Sequence, residues 1–259
     1  MLQGLATAFR TLTILPVPGK GARDAASSLP WFPVVGAALG GLLYAMTLPF
    51  QAIGGASWPE GVALLVVVAE GILTRGLHLD GLADWADGFA SMTDRTETLR
   101  IMKDPRVGTF AVLALIAVLG AKWIALTRMV EGDSALWVFG ALVVSRTIQV
   151  ELAVSLPYAR DDGTAASIVR GAATRHRVGA WLLAALVLVV VLGPTGPAAF
   201  LLGLAIARSL GCWFRRRVGG VTGDLLGAGS EIVETAILVA CAALGSRLVD
   251  LTGWSWVLR

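Results

Sequence analysis

Seven apolar stretches, each near the length needed to cross a bilayer, constrain this chain more than any other feature of its sequence. They run over about 31–52, 61–79, 107–127, 135–156, 178–193, 197–214 and 232–251. A hydrocarbon core takes about 20 mostly apolar residues per helix. Within it the backbone must satisfy its own polar groups, which leaves the helix as the default for such runs. The expected fold is all-α: a polytopic integral membrane protein of about seven transmembrane helices, one membrane-embedded domain over 1–259. Composition agrees, with 56% hydrophobic and 15% charged residues, against about 45–50% and about 25% in soluble domains. The fifth and sixth stretches are short. They are split by "GPTGP" (193–197), which reads as the tight turn of a helical hairpin.

Between the spans, charge is unevenly shared. Segments 1–30, 80–106, 157–177 and 215–231 hold 14 of the 21 basic residues, and the alternate segments hold only Arg128, Arg247 and Arg259. The Lys/Arg excess marks cytoplasmic loops. It places the N-terminus and these loops in the cytoplasm and the C-terminus outside, for a multi-pass protein of the cell inner membrane. Leu2, Leu5, Ala6, Phe9 and Leu12 fall at helical spacing, as in a short helix lying in the interface, and the pattern of a cleavable signal peptide is absent. A pI of about 9.2 suits loops beside anionic lipid. No basic stripe interleaved with aromatics appears, which sets nucleic acid aside as a partner. Cys212 and Cys241 sit in apolar runs with no metal-ligand spacing and read as buried hydrophobes.

"LHLDGLADWADGF" (77–89) carries Asp80, Asp84 and Asp87. On a helix they share about 60° of arc. Like charges at that spacing repel, more strongly beside a low-dielectric bilayer. Either some are protonated or a hard divalent cation sits among them, magnesium being the ion that pairs carboxylates with substrate phosphates. His78, adjacent, reads as structural, because magnesium does not prefer imidazole. In "RIMKDPRVGTF" (100–110), Asp104-Pro105 reads as the cap and first-turn proline of the third span. Lys103, Arg106 and Gly108 around that helix start suit a phosphate. The stretch "GGVTGDLLGAGSE" (219–231) reads as a flexible loop in which Thr222 and Gly223 offer backbone amides to an anion and Asp224 offers a carboxylate. Glu231 sits where a helix would start, and Glu234 lies a turn deeper.

Charges also fall inside spans: Glu70, Arg75, Arg146, Glu151 and Arg208. Intramembrane charge usually meets a partner or a polar cavity. Structural anchoring is expected here, with Arg146, Glu151 and Arg208 reaching out toward the interface. Gly36 and Gly40 form a GxxxG spacing that packs helices within one chain or between copies, which leaves homo-oligomerisation open.

Together, "LHLDGLADWADGF", "IMKDPRVGTFAVLAL" and "GGVTGDLLGAGSEIVETAIL", with "FRTLTILPVP" (9–18) and "WFPVVGAALG" (31–40), resemble the cobalamin synthase family, adenosylcobinamide-GDP ribazoletransferases. The resemblance covers nearly the whole chain. It implies a membrane enzyme of the last steps of cobalamin biosynthesis. Such an enzyme joins α-ribazole or its 5′-phosphate to adenosylcobinamide-GDP, with GMP leaving and Mg2+ as cofactor. On that reading Asp80, Asp84 and Asp87 hold the metal. Lys103 and Arg106 offset phosphate charge, with Gly108, Thr222, Gly223 and Glu234 completing the substrate contacts. Asp104 or Asp224 takes the ribose hydroxyl proton. Asp84-x-x-Asp87-Gly88 is also similar to the opening of the CDP-alcohol phosphotransferase motif, whose later aspartates are absent here. That enzyme class, a cation transporter using Asp80, Asp84, Asp87 and Glu234, and a non-catalytic anchoring subunit are the competing readings.

Overall fold

The computed structural model describes residues 2–52, 58–92 and 94–254; Arg259 lies outside them. Every named element among these residues is helical. α1 (Leu2–Leu12) is followed by a 3-10 turn over Ala25–Trp31, capped by Asp24, which accepts from the Ala26 N–H at 3.0 Å. α2 (Phe32–Ala52) and α3 (Pro59–Leu73) form the first antiparallel pair, and α4 (Leu77–Ala90) and α5 (Arg95–Ile101) follow. Long helices then alternate in direction: α6 (Thr109–Glu131), α7 (Trp137–Ser155), α9 (Thr174–Leu192), α10 (Thr195–Val218) and α11 (Gly223–Leu244). The short α8 (Ala166–Arg170) lies in the α7–α9 connection, and α12 (Ser246–Leu251) follows α11.

Six helices among the described residues are long and apolar enough to cross a membrane, or seven if α3 and α4 count as one bent span. The polytopic all-α fold expected from the sequence is what forms. Only Gly193 and Pro194 separate α9 from α10, so the hairpin turn stands. The glycine-rich stretch differs. α11 begins at Gly223 rather than at 232, leaving residues 219–222 as the connection. Thr222 caps it, its hydroxyl accepting from the Leu225 N–H at 3.3 Å. Small residues here let neighbours pack close: a Cβ on Gly227 would come within 3.2 Å of the His78 backbone.

α7 is buried almost all round, as a helix at the centre of a bundle should be. α9 shows the opposite pattern. Ala180, Ala184, Leu188 and Leu192 face inward at four-residue spacing, while Leu182, Leu186 and Val190 face outward. The α2–α7 contact rests on Gly36 and Gly40, where a Cβ would collide with the backbone at Leu142 and Phe139. The GxxxG pair therefore packs helices of the same chain.

Among α3, α6, α7 and α11 lies a buried ionic cluster. Lys122 Nζ stands 3.1 Å from Glu70, 2.7 Å from Glu231 and 2.5 Å from Glu234. Arg146 reaches Glu234 at 3.1 Å and Glu70 at 3.4 Å. Arg146 is fully buried at the middle of α7, so it does not extend to the interface as the sequence suggested. Its charge is met inside the bundle. Breaking one partner of such a buried cluster typically costs about 3–5 kcal/mol. Glu151, also buried, takes Arg208 at 3.0 Å and Arg177 at 3.9 Å.

Candidate active site

The chain leaves α3 through Arg75 and Gly76, both in the left-handed region (φ 56° and 64°). This turns α4 by 88° from the α3 axis. α4 therefore runs across the end of the bundle instead of through it. Leu82, Ala83, Ala86 and Phe89 are buried beneath it. Asp80 is exposed, and Asp84 and Asp87 are half-buried on its other side. Gly81 rests directly on the start of α11, where a Cβ would lie 2.5 Å from the Asp224 carbonyl oxygen. That close approach brings a fourth carboxylate, Asp224, alongside the stripe. Burial, then the charges of Asp224 and Asp80, push the Asp84 carboxyl up to about 7, against the opposing pull of Arg160.

In the sequence Arg160 opens "RDDGT" (160–164) and looks like any solvated loop charge. The loop is in fact pinned. The Ala159 N–H donates to the Val221 carbonyl and the Val221 N–H to the Pro157 carbonyl, both at 2.9 Å. Arg95 donates to the Ala159 carbonyl at 3.0 Å. Arg160 Nη1 then donates to Asp224 Oδ2 at 2.7 Å, while its buried Nε and Nη2 have no partner among the described residues. Asp224 Oδ1 has no protein partner among the described residues. Thr222 is fully buried with its hydroxyl on the α11 cap and on Asp224, which makes it a positioning residue. Gly223 lines a cavity of about 290 Å³ that opens beside Asp80 and Asp224.

The 103–108 segment is arranged differently from the expectation. α6 begins at Thr109 with Gly108 as its cap, not at Asp104-Pro105. The helix start already holds an anion, because Asp87 Oδ2 accepts from the Gly108 N–H at 2.6 Å and Oδ1 from the Ala111 N–H at 2.8 Å. A carboxylate there satisfies amides that the helix cannot. Asp87 thus ties α4 to α6, and Gly108 meets Asp87 where a phosphate was expected. Both Asp104 oxygens are taken by the Arg106 guanidinium, at 2.9 and 2.7 Å. That pairing holds the Asp104 carboxyl well below the usual carboxylate range and makes it a poor proton acceptor. Lys103 faces Asp162 at 3.5 Å in solvent. Glu234 is 1% exposed inside the ionic cluster, away from any surface a substrate reaches. Lys122, which holds it there, lies in an apolar run that gives it no local mark.

Among the described residues no three His, Cys, Asp or Glu side chains converge to hold a metal ion by themselves. The carboxylates of Asp80 and Asp84, with Asp224 beside them, are nonetheless an all-oxygen, under-neutralised set. This fits magnesium, which commonly takes one or two carboxylates and completes its shell with water and substrate phosphate.

Comparison with known proteins bears on what this arrangement serves. A family model described as cobalamin-5-phosphate synthase matches residues 4–242. A protein of Chlorobaculum parvum named adenosylcobinamide-GDP ribazoletransferase is 47% identical over 246 residues, covering 93% of this chain and 96% of its own length. One of the same name from Prosthecochloris aestuarii is 48% identical over 251 residues, covering 94% and 98%. Another, from Roseiflexus, is 36% identical over 238, covering 89% and 86%. No solved structure matches. A match this long and this uniform, over a carboxylate-lined shelf on a bundle of membrane helices, leaves one assignment: the chain belongs to the cobalamin-5-phosphate synthase family.

Proposed function

We propose that this enzyme joins α-ribazole or its 5′-phosphate to adenosylcobinamide-GDP at the α4 shelf, releasing GMP and forming adenosylcobalamin or its 5′-phosphate. The observation that carries the reading is the meeting of Asp80, Asp84, Asp224 and Arg160 at one place, in a chain whose relatives bear the ribazoletransferase name over most of their length. A ribose hydroxyl attacks the phosphorus attached to cobinamide. Its proton passes to Asp224 Oδ1, a P–O bond forms, and the P–O bond to GMP breaks. Asp224 suits this task better than Asp104, because Arg160 orients one oxygen and leaves the other free. Arg160, paired with Asp224 at 2.7 Å, puts a positive charge beside the site, and offsetting the charge that builds on the transferring phosphoryl oxygens is the main demand such a reaction makes of a protein. Asp80 and Asp84 would hold a magnesium ion, which would add neutralisation of the pyrophosphate charge. The excess of Lys and Arg on the loops of this face supports a cytoplasmic orientation in the inner membrane, where nucleotides are available.

Purified enzyme given adenosylcobinamide-GDP, α-ribazole phosphate and magnesium should release GMP and form the joined corrinoid. Asp224→Asn should lower kcat by about 10²–10⁴, the usual worth of a general base, with the fold intact by circular dichroism. Well-folded wild-type protein that releases no GMP sinks the proposal. A CDP-alcohol transferase would release CMP from a CDP-linked lipid instead, and the relatives' names do not favour it.

A further inference from the structure

Below the carboxylates, the cavity of about 290 Å³ runs inward between α1, α4, α8 and α11. Leu12, Phe32, Ile168 and Leu226 give it apolar walls, interrupted by Thr11, Arg75 and Thr164, with Asp80 and Asp224 also in its lining. At its inner end stand His78 and Gln149, 1% and 3% exposed. The His78 Nδ1 is buried and has no hydrogen-bond partner among the described residues.

With Gln149 Nε2 directed at both His78 and Ser230, the hydrogen bonds behind His78 set the role of that nitrogen. Arg146 can only donate, and its Nη1 donates to the Ser230 hydroxyl at 2.6 Å. The single Ser230 proton goes to the Ser145 carbonyl at 3.4 Å. Ser230 therefore accepts from Gln149, whose Nε2 lies 3.0 Å away. The same Gln149 Nε2 carries its second N–H toward His78 Nε2 at 2.9 Å. That makes His78 Nε2 the acceptor and leaves the imidazole proton on Nδ1. The cavity thus ends in one unused N–H donor, held in place by a chain of bonds anchored on Arg146.

We infer that this cavity is the subsite for the base of the acceptor nucleoside, and that His78 Nδ1–H recognises the unsubstituted ring nitrogen of that base. The inference rests on the proposed function and adds the placement of the nucleoside. The base of α-ribazole is a bicyclic heteroaromatic with one free acceptor nitrogen and an otherwise apolar perimeter. The His78 donor and the apolar side chains of Leu12, Phe32, Ile168 and Leu226 complement that outline. The volume lies near the lower limit of about 300 Å³ for ligand pockets, too small for the corrin macrocycle. A base seated here directs its ribose to the cavity mouth, where Asp224 and Asp80 stand.

The test compares two acceptors on the intact purified enzyme, α-ribazole phosphate and the matching indole riboside phosphate, in which CH replaces the free nitrogen. Wild type should show a KM for the indole analogue higher by about 10- to 100-fold, since a site built to bond a polar atom rejects the analogue lacking it. His78→Leu should raise the KM for α-ribazole phosphate by a similar factor, remove the discrimination, and leave the KM for adenosylcobinamide-GDP unchanged. The wild-type comparison stands even where the variant fails to fold. Equal KM values for the two acceptors on wild type overturn the inference. So does a His78→Leu variant that retains discrimination, or one whose defect appears in the KM for adenosylcobinamide-GDP, which would put guanine in the cavity. Absence of GMP release from wild type with α-ribazole phosphate instead sinks the parent reading, and the subsite with it.

Discussion

Asp84 sits between Asp80 and Asp87 on α4 with Asp224 across from it, and its carboxyl is pushed up to about 7. In an unfolded chain the same group titrates near 3.9. The folded state therefore holds this proton more tightly, and the contribution to stability present below about pH 4 is lost as pH rises through about 7. With divalent ions chelated, thermal unfolding should show a falling midpoint across that window. Asp84→Asn should flatten the slope, and magnesium at pH 8 should restore stability to the wild type alone. A slope unchanged by the substitution would remove Asp84 as its source. The stripe was readable because charge is scarce in this chain and its spacing matches one helix face. The task of Asp87 was not, since its partners Gly108 and Ala111 are 21 and 24 residues away and the start of α6 lay beyond what Asp104-Pro105 signalled. Arg160 had no local mark at all; only the backbone bridge to Val221 gives it a fixed direction.

At the scale of elements, the contact between α2 and α7 depends on what is missing from Gly36 and Gly40. Gly40→Leu should lower stability by about 1–3 kcal/mol or more, as overpacking does, read as a lowered unfolding midpoint in detergent. Gly41→Leu, next along the helix, points into open space and should leave the midpoint unchanged. Equal effects of the two would show that the close approach is unimportant. Span positions followed readily from hydropathy, because burial in lipid and burial in a bundle both select apolar side chains. The start of α11 did not, because glycines that lower helix propensity are the same residues that let α4 and α11 approach. The right-angle break after α3 was equally hidden. A continuous apolar run says nothing about Arg75 and Gly76 adopting left-handed backbone conformations.

For the whole molecule, the alternation of helices puts α1, α4, α5 and the 156–173 loop on one face and α12 on the other. With Cys212 and Cys241 replaced, Lys103→Cys should resist a membrane-impermeant maleimide in intact cells and react after permeabilisation. Arg247→Cys should react in intact cells. The reverse pattern would overturn the cytoplasmic placement of the shelf. The ionic cluster at the centre bears on how the chain is made. Lys122 comes 52 residues after Glu70, and Arg146 precedes Glu234 by 88. At about 5–20 residues per second of synthesis, Arg146 waits about 4–18 s and Lys122 about 6–22 s for Glu234 of α11, with Glu70 as their one carboxylate. Four helices can settle only when the last of them arrives. A nascent chain stalled before α11 carries an excess cation in its membrane interior, so completion of this bundle is a single late event that separates finished molecules from fragments.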